Sequence, residues 1–354
     1  MLKELVKNRL LRAIENKIFP GAVVGIVQKD IGKLLVLAGR FTYDETSPQV
    51  EEDSMFDVAS VTKSIPTACL ALKLIESGKL SLEDKIIKYV PEFKNKYRQQ
   101  ATLWHLLTQT LDFGHIFLSS QKNNTPKEIL NYIFTKELES PPGSKYWYMN
   151  ATSILLGLVV ERAAQKPLDV LADEMFFKPL GMLHTTFHPE KFAKEKIVPT
   201  EQDDWRGRLI HGEVHDETAS KLFLEMVPGN AGLFSTAPDL LVFLEMLLNK
   251  GKLNGRRYFN EKTVEEMQNN QLENISQTAG LGWELTKKDV MGSHITEHTF
   301  GKTGFTGCLV VCDILKQIGV VILSNAVYPK RPENRSAINE LRRDIVDLVF
   351  KAAG

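Results

Sequence analysis

The chain's patterning predicts an α+β fold: an antiparallel sheet built from its two ends, flanked by N- and C-terminal helices, with a mostly helical region inserted between. Three observations carry this. Strand-like apolar runs lie near both termini, helical spacing fills the middle, and helical spacing returns at both extremes.

At the start, Leu2, Leu5, Leu10, Leu11, Ile14 and Ile18 recur at helical spacing with charges between them, up to the breaker Pro20-Gly21. Residues 22–27 and 34–38 are β-branched and aliphatic and meet through the polar turn Lys29-Asp30-Ile31-Gly32, a hairpin pattern. Helical spacing then runs over 61–75, 103–107, 127–135 and 152–164. Within the first of these, Pro66 predicts a kink or a later helix start, because an interior proline costs about 3 kcal/mol. A helix over 240–248, paired strands over 308–311 and 319–323, and a closing helix over 337–350 complete the pattern. At 354 residues the chain exceeds the usual single core. Residues 1–65 with 245–354 are therefore expected to form the sheet domain and 66–244 the inserted helical domain, with the active site in the cleft between them.

Composition narrows the function classes. The 44 basic residues balance 44 acidic ones and no basic block stands out, so neither nucleic acid nor an anionic membrane is expected as a partner. A small-molecule substrate is expected instead, and the oligomeric state is left open. Cys69, Cys308 and Cys312 do not read as a disulfide framework; with a charged N-terminus that lacks an apolar signal core, they predict a cytoplasmic address. Cys308 and Cys312 are expected on one face of a strand. His294 and His298 are four apart, but Gly292-Ser293 and the β-branched Ile295-Thr296 speak against the helix a metal pair would need, so no metal site is expected.

Three short motifs carry chemistry. Ser60-Val61-Thr62-Lys63 puts a hydroxyl and an amine on one face of a helical turn, in apolar company that depresses a lysine's pKa and lets it take the serine proton. Tyr148-Met149-Asn150 follows the breaker Pro141-Pro142-Gly143 and leads a helix; a tyrosine beside an ammonium can act as a base, and an asparagine amide can orient a substrate carbonyl. Lys302-Thr303-Gly304 precedes a strand, where a cation and a hydroxyl can hold a substrate carboxylate and glycine lets substrate approach the backbone. Each spacing has a decoy or a bland reading. Ser119-Ser120-Gln121-Lys122 and Tyr258-Phe259-Asn260 repeat the first two in polar stretches without the breaker-to-helix setting, and Lys302-Thr303-Gly304 alone is more often a turn.

Together and in this order, the motifs resemble the superfamily of serine β-lactamases and penicillin-binding proteins. The tyrosine form of the middle motif looks like the class C branch, which includes D-aminopeptidases, D-alanyl carboxypeptidases and carboxylesterases. Residues 74–85 and 89–93, Gly232-Leu233-Phe234-Ser235-Thr236 and Gly282-Trp283 extend the likeness over roughly residues 18–325. The resemblance implies a β-lactamase/transpeptidase-like fold and no cofactor. It makes Ser60 the nucleophile, with Lys63 and Tyr148 exchanging its proton and the backbone N–H groups of Ser60 and Phe305 forming an oxyanion hole. Asn150, Lys302, Thr303 and Gly304 would contact substrate. His215 is read first as a structural histidine and second as a further substrate contact. Gln109-Thr110-Leu111-Asp112 departs from the His-Thr-Ser-Gly of many relatives, so that loop is expected to differ. The activity implied is hydrolysis of small esters or amides, as an esterase or D-amino-acid peptidase with possible β-lactam turnover; the alternative is a penicillin-binding sensor that acylates but turns over poorly.

Overall fold

The computed structural model describes residues 1–29, 32–116 and 123–353; Asp30 and Ile31 of the hairpin turn, and the decoy Ser119 to Lys122, lie outside the described residues. Strands β1 (Gly21–Gln28), β2 (Gly32–Gly39), β5 (Glu284–Leu285), β6 (Thr299–Thr303), β7 (Leu309–Asp313) and β8 (Ile318–Ser324) form a six-stranded sheet in the order β2-β1-β8-β7-β6-β5. Every pairing is antiparallel. The two ends of the chain meet inside it, with Val23 opposite Leu323 and Ile26 opposite Val320.

Both faces of the sheet are covered, which is why its strands read as continuous apolar runs rather than alternating ones. Side chains still divide with a period of two. Val24, Ile26, Leu309, Val311, Val320 and Ile322 pack under the terminal helices α1 (Leu2–Glu15) and α9 (Ser336–Ala352). Val23, Val310, Cys312, Val321 and Leu323 face the larger core, together with Cys308 just ahead of β7. Cys308 and Cys312 thus share one side, as their spacing predicts.

On that larger side, α7 (Ala237–Leu248) lies against the sheet, and two strand glycines make room for it. A Cβ on Gly25 would stand 2.9 Å from Leu241 Cδ1, and one on Gly319 3.1 Å from Leu244 Cβ. Helix α7 is continuous across the expected boundary at 244/245. Helices of this side also include α2 (Cys69–Glu76), α3 (Leu103–Leu107), α4 (Pro126–Thr135), α5 (Asn150–Ala164), α6 (Glu217–Leu222) and α8 (Glu261–Gln268). Helix α5 packs on α2 and α3 and is buried on all sides from Ala151 to Val160. Two residue pairs, β3 (Phe56–Asp57) and β4 (Phe234–Ser235), tie the chain just before Ser60 to the segment ahead of α7.

The helical run predicted from residue 61 is broken in two. Ala59–Lys63 is a 3₁₀ turn, Ile65 is extended at φ −114° and ψ 108°, and regular α-helix starts at Cys69. The physical cause is Pro66, whose ring pushes the residue before it out of the helical region and which offers no N–H. Among the described residues, no helix is long and apolar enough to cross a membrane.

Candidate active site

The break before Pro66 shapes the site. In a 3₁₀ turn residues i and i+3 eclipse, so Ser60 and Lys63 stand one above the other, and Lys63 Nζ donates to Ser60 Oγ at 2.8 Å. Ala59, immediately before the serine, has φ +49°, a left-handed backbone that an alanine adopts only under constraint. The constraint is visible: Ala59 N–H donates to buried Asp57 Oδ1 at 2.8 Å, and the Ala59 carbonyl accepts from Thr62 Oγ1 at 2.6 Å.

Lys63 is 4% exposed and donates its second hydrogen bond to the Asn230 carbonyl at 2.9 Å. Burial and the Lys302 ammonium lower its pKa from 10.5, against the opposing pull of Tyr148 and Asp216. Tyr148 stands just ahead of α5, with its ring 5.3 Å from Lys63 Nζ and 4.1 Å from Lys302 Nζ. Burial of its hydroxyl would raise its pKa, but the two ammonium groups and a hydrogen bond with Ser60 outweigh that and draw it below 10.0. Serine, lysine and tyrosine are thus brought together, with the lysine and the tyrosine both drawn below their ordinary values.

Lys302 comes from β6, where the pairing with β7 sets Lys302 opposite Val310. Its ammonium lies 2.6 Å from the buried Glu284 carboxylate on β5, and Thr303 Oγ1 donates to the same carboxylate at 3.4 Å. Burial works against charge on both partners. Their mutual attraction, aided by Lys287 at 3.1 Å, wins: Lys302 is held above its ordinary value and Glu284 down at about 2. The first ligand of Lys302 is therefore an internal carboxylate, where the sequence pointed to a substrate's. Gly304 also has an internal reason, since a Cβ there would stand 2.4 Å from the Val58 carbonyl. The glycine lets the end of β6 close against the loop that carries Ser60.

A cleft of about 330 Å³ opens over Ser60 and Tyr148, lined further by Asn150, His215, Thr218, Phe305 and Arg331. A second hollow of about 270 Å³ lies on the other side of the same two residues, beside Thr303, Gly304, Arg335 and Arg342. Phe305 forms the ridge between them, 41% exposed, stacked on His215 at 5.5 Å and flanked by the Arg331 and Arg335 guanidinium groups. Ala59 and Val61 use their N–H groups on Asp57 and Val58, and Gly304 and Gly307 use theirs on Cys308 and Gly304; none of these bonds engages the N–H of Ser60 or Phe305.

His215 is buried, with Nε2 2.8 Å from Glu201 and its own N–H donating to Asp57 Oδ2 at 2.7 Å. It is both structurally held and on the cleft wall. Asn150 donates to Asp216 Oδ2 at 3.0 Å. Tyr258, the decoy, is buried elsewhere and donates its hydroxyl to the Pro179 carbonyl at 2.7 Å, while Asn260 precedes α8. His294 pairs with Asp347 at 3.0 Å on a non-helical stretch.

Sequence reasoning missed Glu284, Asp216 and Asn230. A usable signal existed for the first, since a carboxylate between Trp283 and Leu285 in an apolar strand must be paired when buried. The other two are recognised only through contacts across distant segments.

A family model described as Beta-lactamase matches residues 8–343. A putative D-alanyl-D-alanine carboxypeptidase of Escherichia coli (strain K12) is 33% identical over 77% of this chain and 69% of its own length. An N-acetylmuramyl-L-alanine amidase of Bacillus subtilis (strain 168) is 30% identical over 87% of this chain and 77% of its own. Among solved structures, EstCE1, a hydrolase with promiscuous acyltransferase activity, aligns over 98% of both chains with a TM-score of 0.75 at 21% identity. An octameric penicillin-binding protein homologue from Pyrococcus abyssi aligns over 96% of this chain and 76% of its own, with a TM-score of 0.73 at 20% identity. At those identities the structural likeness speaks for the fold, which is of the β-lactamase/transpeptidase type. The family match spans the whole site described above, and the chain belongs to the β-lactamase family of serine hydrolases.

Proposed function

We propose that this chain hydrolyses small carboxylic esters or amides through an acyl-enzyme on Ser60. The observation that carries the reading is the 2.8 Å contact between Lys63 Nζ and Ser60 Oγ, beside a tyrosine whose pKa is drawn down by two ammonium groups. Lys63 and Tyr148 interact closely enough to titrate as a unit, and the active form of the pair has one proton fewer than the fully protonated one. As Ser60 Oγ attacks the substrate carbonyl, its proton passes to this pair. The developing oxyanion faces the N–H groups of Ser60 and Phe305, each such donor contributing about 100- to 1000-fold in rate. When the tetrahedral centre collapses, the pair returns the proton to the leaving oxygen or nitrogen. Water then enters and loses its proton to the same pair, which passes it to Ser60 Oγ as the bond between the acyl carbon and Ser60 breaks and the acid leaves.

Lys302 supports this chemistry from behind Tyr148, as a cation held charged by Glu284. Because that charge is already paired, it does not by itself select carboxylate substrates, and neutral esters and amides fit the site. The 330 Å³ cleft toward Asn150 and Thr218 takes the acyl group, and the hollow beside Thr303 takes the leaving group.

Intact-mass measurement during turnover of a short-chain nitrophenyl ester tests the reading. An added acyl mass that maps to Ser60, with nitrophenol released and both lost in Ser60→Ala, is expected. Release that survives Ser60→Ala would overturn it, and a stable adduct without continued release would point instead to a sensor.

A further inference from the structure

We infer that Asp216 is a positioning residue for this site: its one carboxylate holds both the side chain that faces the acyl group and the backbone that holds the Lys63 ammonium. The inference rests on the acyl-enzyme reading and deepens it.

Three hydrogen bonds converge on the group. Oδ1 accepts from Ala219 N–H at 2.7 Å, which caps α6, and from Asn230 Nδ2 at 3.3 Å. Oδ2 accepts from Asn150 Nδ2 at 3.0 Å. Asn230 in turn presents its carbonyl to Lys63 Nζ. The neighbouring residue extends the brace, because His215 N–H donates to the same Asp57 carboxylate that holds Ala59 ahead of the nucleophile. Residues 57–63, 150, 215–216 and 230 are far apart in the chain, and the His215-Asp216 pair is where they are tied.

A capping aspartate on a surface helix needs only its backbone N–H partners. Here two side-chain amides also donate to it, and both belong to segments that touch the reacting atoms. An asparagine in its place would cap the helix about as well. It would also turn an N–H₂ group toward the amide of Asn150 or Asn230, donor against donor, and release one of them. The change therefore separates a cap from a brace.

The charge of Asp216 also bears on Lys63. The ammonium faces Tyr148, Lys302 and Asp216, with Glu284 and Tyr146 behind Lys302. Asp216 is the carboxylate among these that favours the charged lysine directly, so its loss makes Lys63 easier to deprotonate.

The test is the rate of Ser60 acylation by a short-chain nitrophenyl ester across pH, read by intact mass, for wild type, D216N, N150A and the double variant, with melting temperatures alongside. Expected for D216N is a 10- to 100-fold slower acylation at saturating pH, the loss typical of a misplaced reacting group. Its acid limb should move to lower pH and its melting temperature should change little. The effects of D216N and N150A should fall short of additive, since one acts through the other. D216N acylating at the wild-type rate with an unmoved acid limb, or additive effects in the double variant, would overturn the brace while leaving the Ser60 adduct intact. Absence of any Ser60 adduct in wild type would remove the acyl-enzyme reading and the role of Asp216 with it.

Discussion

Lys63 and Lys302 are each 4% exposed and each lies beside the ring of Tyr148, yet the fold treats their charges in opposite ways. Around Lys63 the hydrogen-bond partners are a serine hydroxyl, a backbone carbonyl and the Tyr148 hydroxyl, with no carboxylate in direct contact; the cost of burying a charge prevails over the pull of Tyr148 and Asp216, and the amine is pushed toward its neutral form. Around Lys302 the acceptor is a buried carboxylate at 2.6 Å, and the pair outweighs the same cost. Residue type and burial do not separate a base from a fixed cation. The partner does, and here it is Glu284.

That contrast can be broken from either side. Lys63→Met removes the amine that shares the serine proton, and acylation is expected to slow by about 10,000-fold while the fold persists; stopped-flow release of nitrophenol measures it. Lys302→Met leaves Glu284 buried without its 2.6 Å partner, keeping the ion pair with Lys287, so a stability loss of about 3 kcal/mol is expected by denaturant unfolding. Losing that cation also raises the Tyr148 pKa, which moves the acid limb of the rate profile to higher pH.

Glu284→Gln removes the partner that holds Lys302 charged, so burial pushes that amine toward its neutral form, Tyr148 loses the same stabilising cation and the limb again moves to higher pH. The substitution also has a stability signature. The folded pKa of about 2 is below the ordinary 4.5, so the contribution of the pair is fully present above pH 4.5 and is lost as pH falls toward 2. Wild type should lose roughly 3 kcal/mol over that window that Glu284→Gln does not. The smallest effect belongs to the decoy tyrosine. Tyr258→Phe gives up one hydrogen bond to the Pro179 carbonyl, about 1 kcal/mol of stability, and should leave the rate unchanged.

Much of this fold was legible because its signals are local. The hairpin β1–β2, the strands around Val310 and Val321, and the terminal helices all follow from apolar spacing between breakers, and Pro66 announced the broken helix that eclipses Ser60 with Lys63. The three motifs also placed their residues around one cleft. What local pattern did not reveal is what those residues hold on to. Glu284 lies 18 residues before Lys302 and reaches it only because β5 pairs with β6; Asn230 meets Lys63, and Asp216 meets Asn150, across packed segments with no common period. For the same reason Lys302 and Gly304 were read toward substrate, although their first contacts are Glu284 and Val58.

The central claim, that one buried lysine is poised to lose its proton while the other is fixed as a cation, is tested most directly by NMR titration of protein carrying ¹³Cε-labelled lysine, with the two resonances assigned through Lys63→Met and Lys302→Met. The account predicts that the Lys63 signal titrates below the ordinary 10.5 while the Lys302 signal stays that of an ammonium beyond it. A Lys63 signal that titrates at or above 10.5, or a Lys302 that loses its proton first, would contradict it.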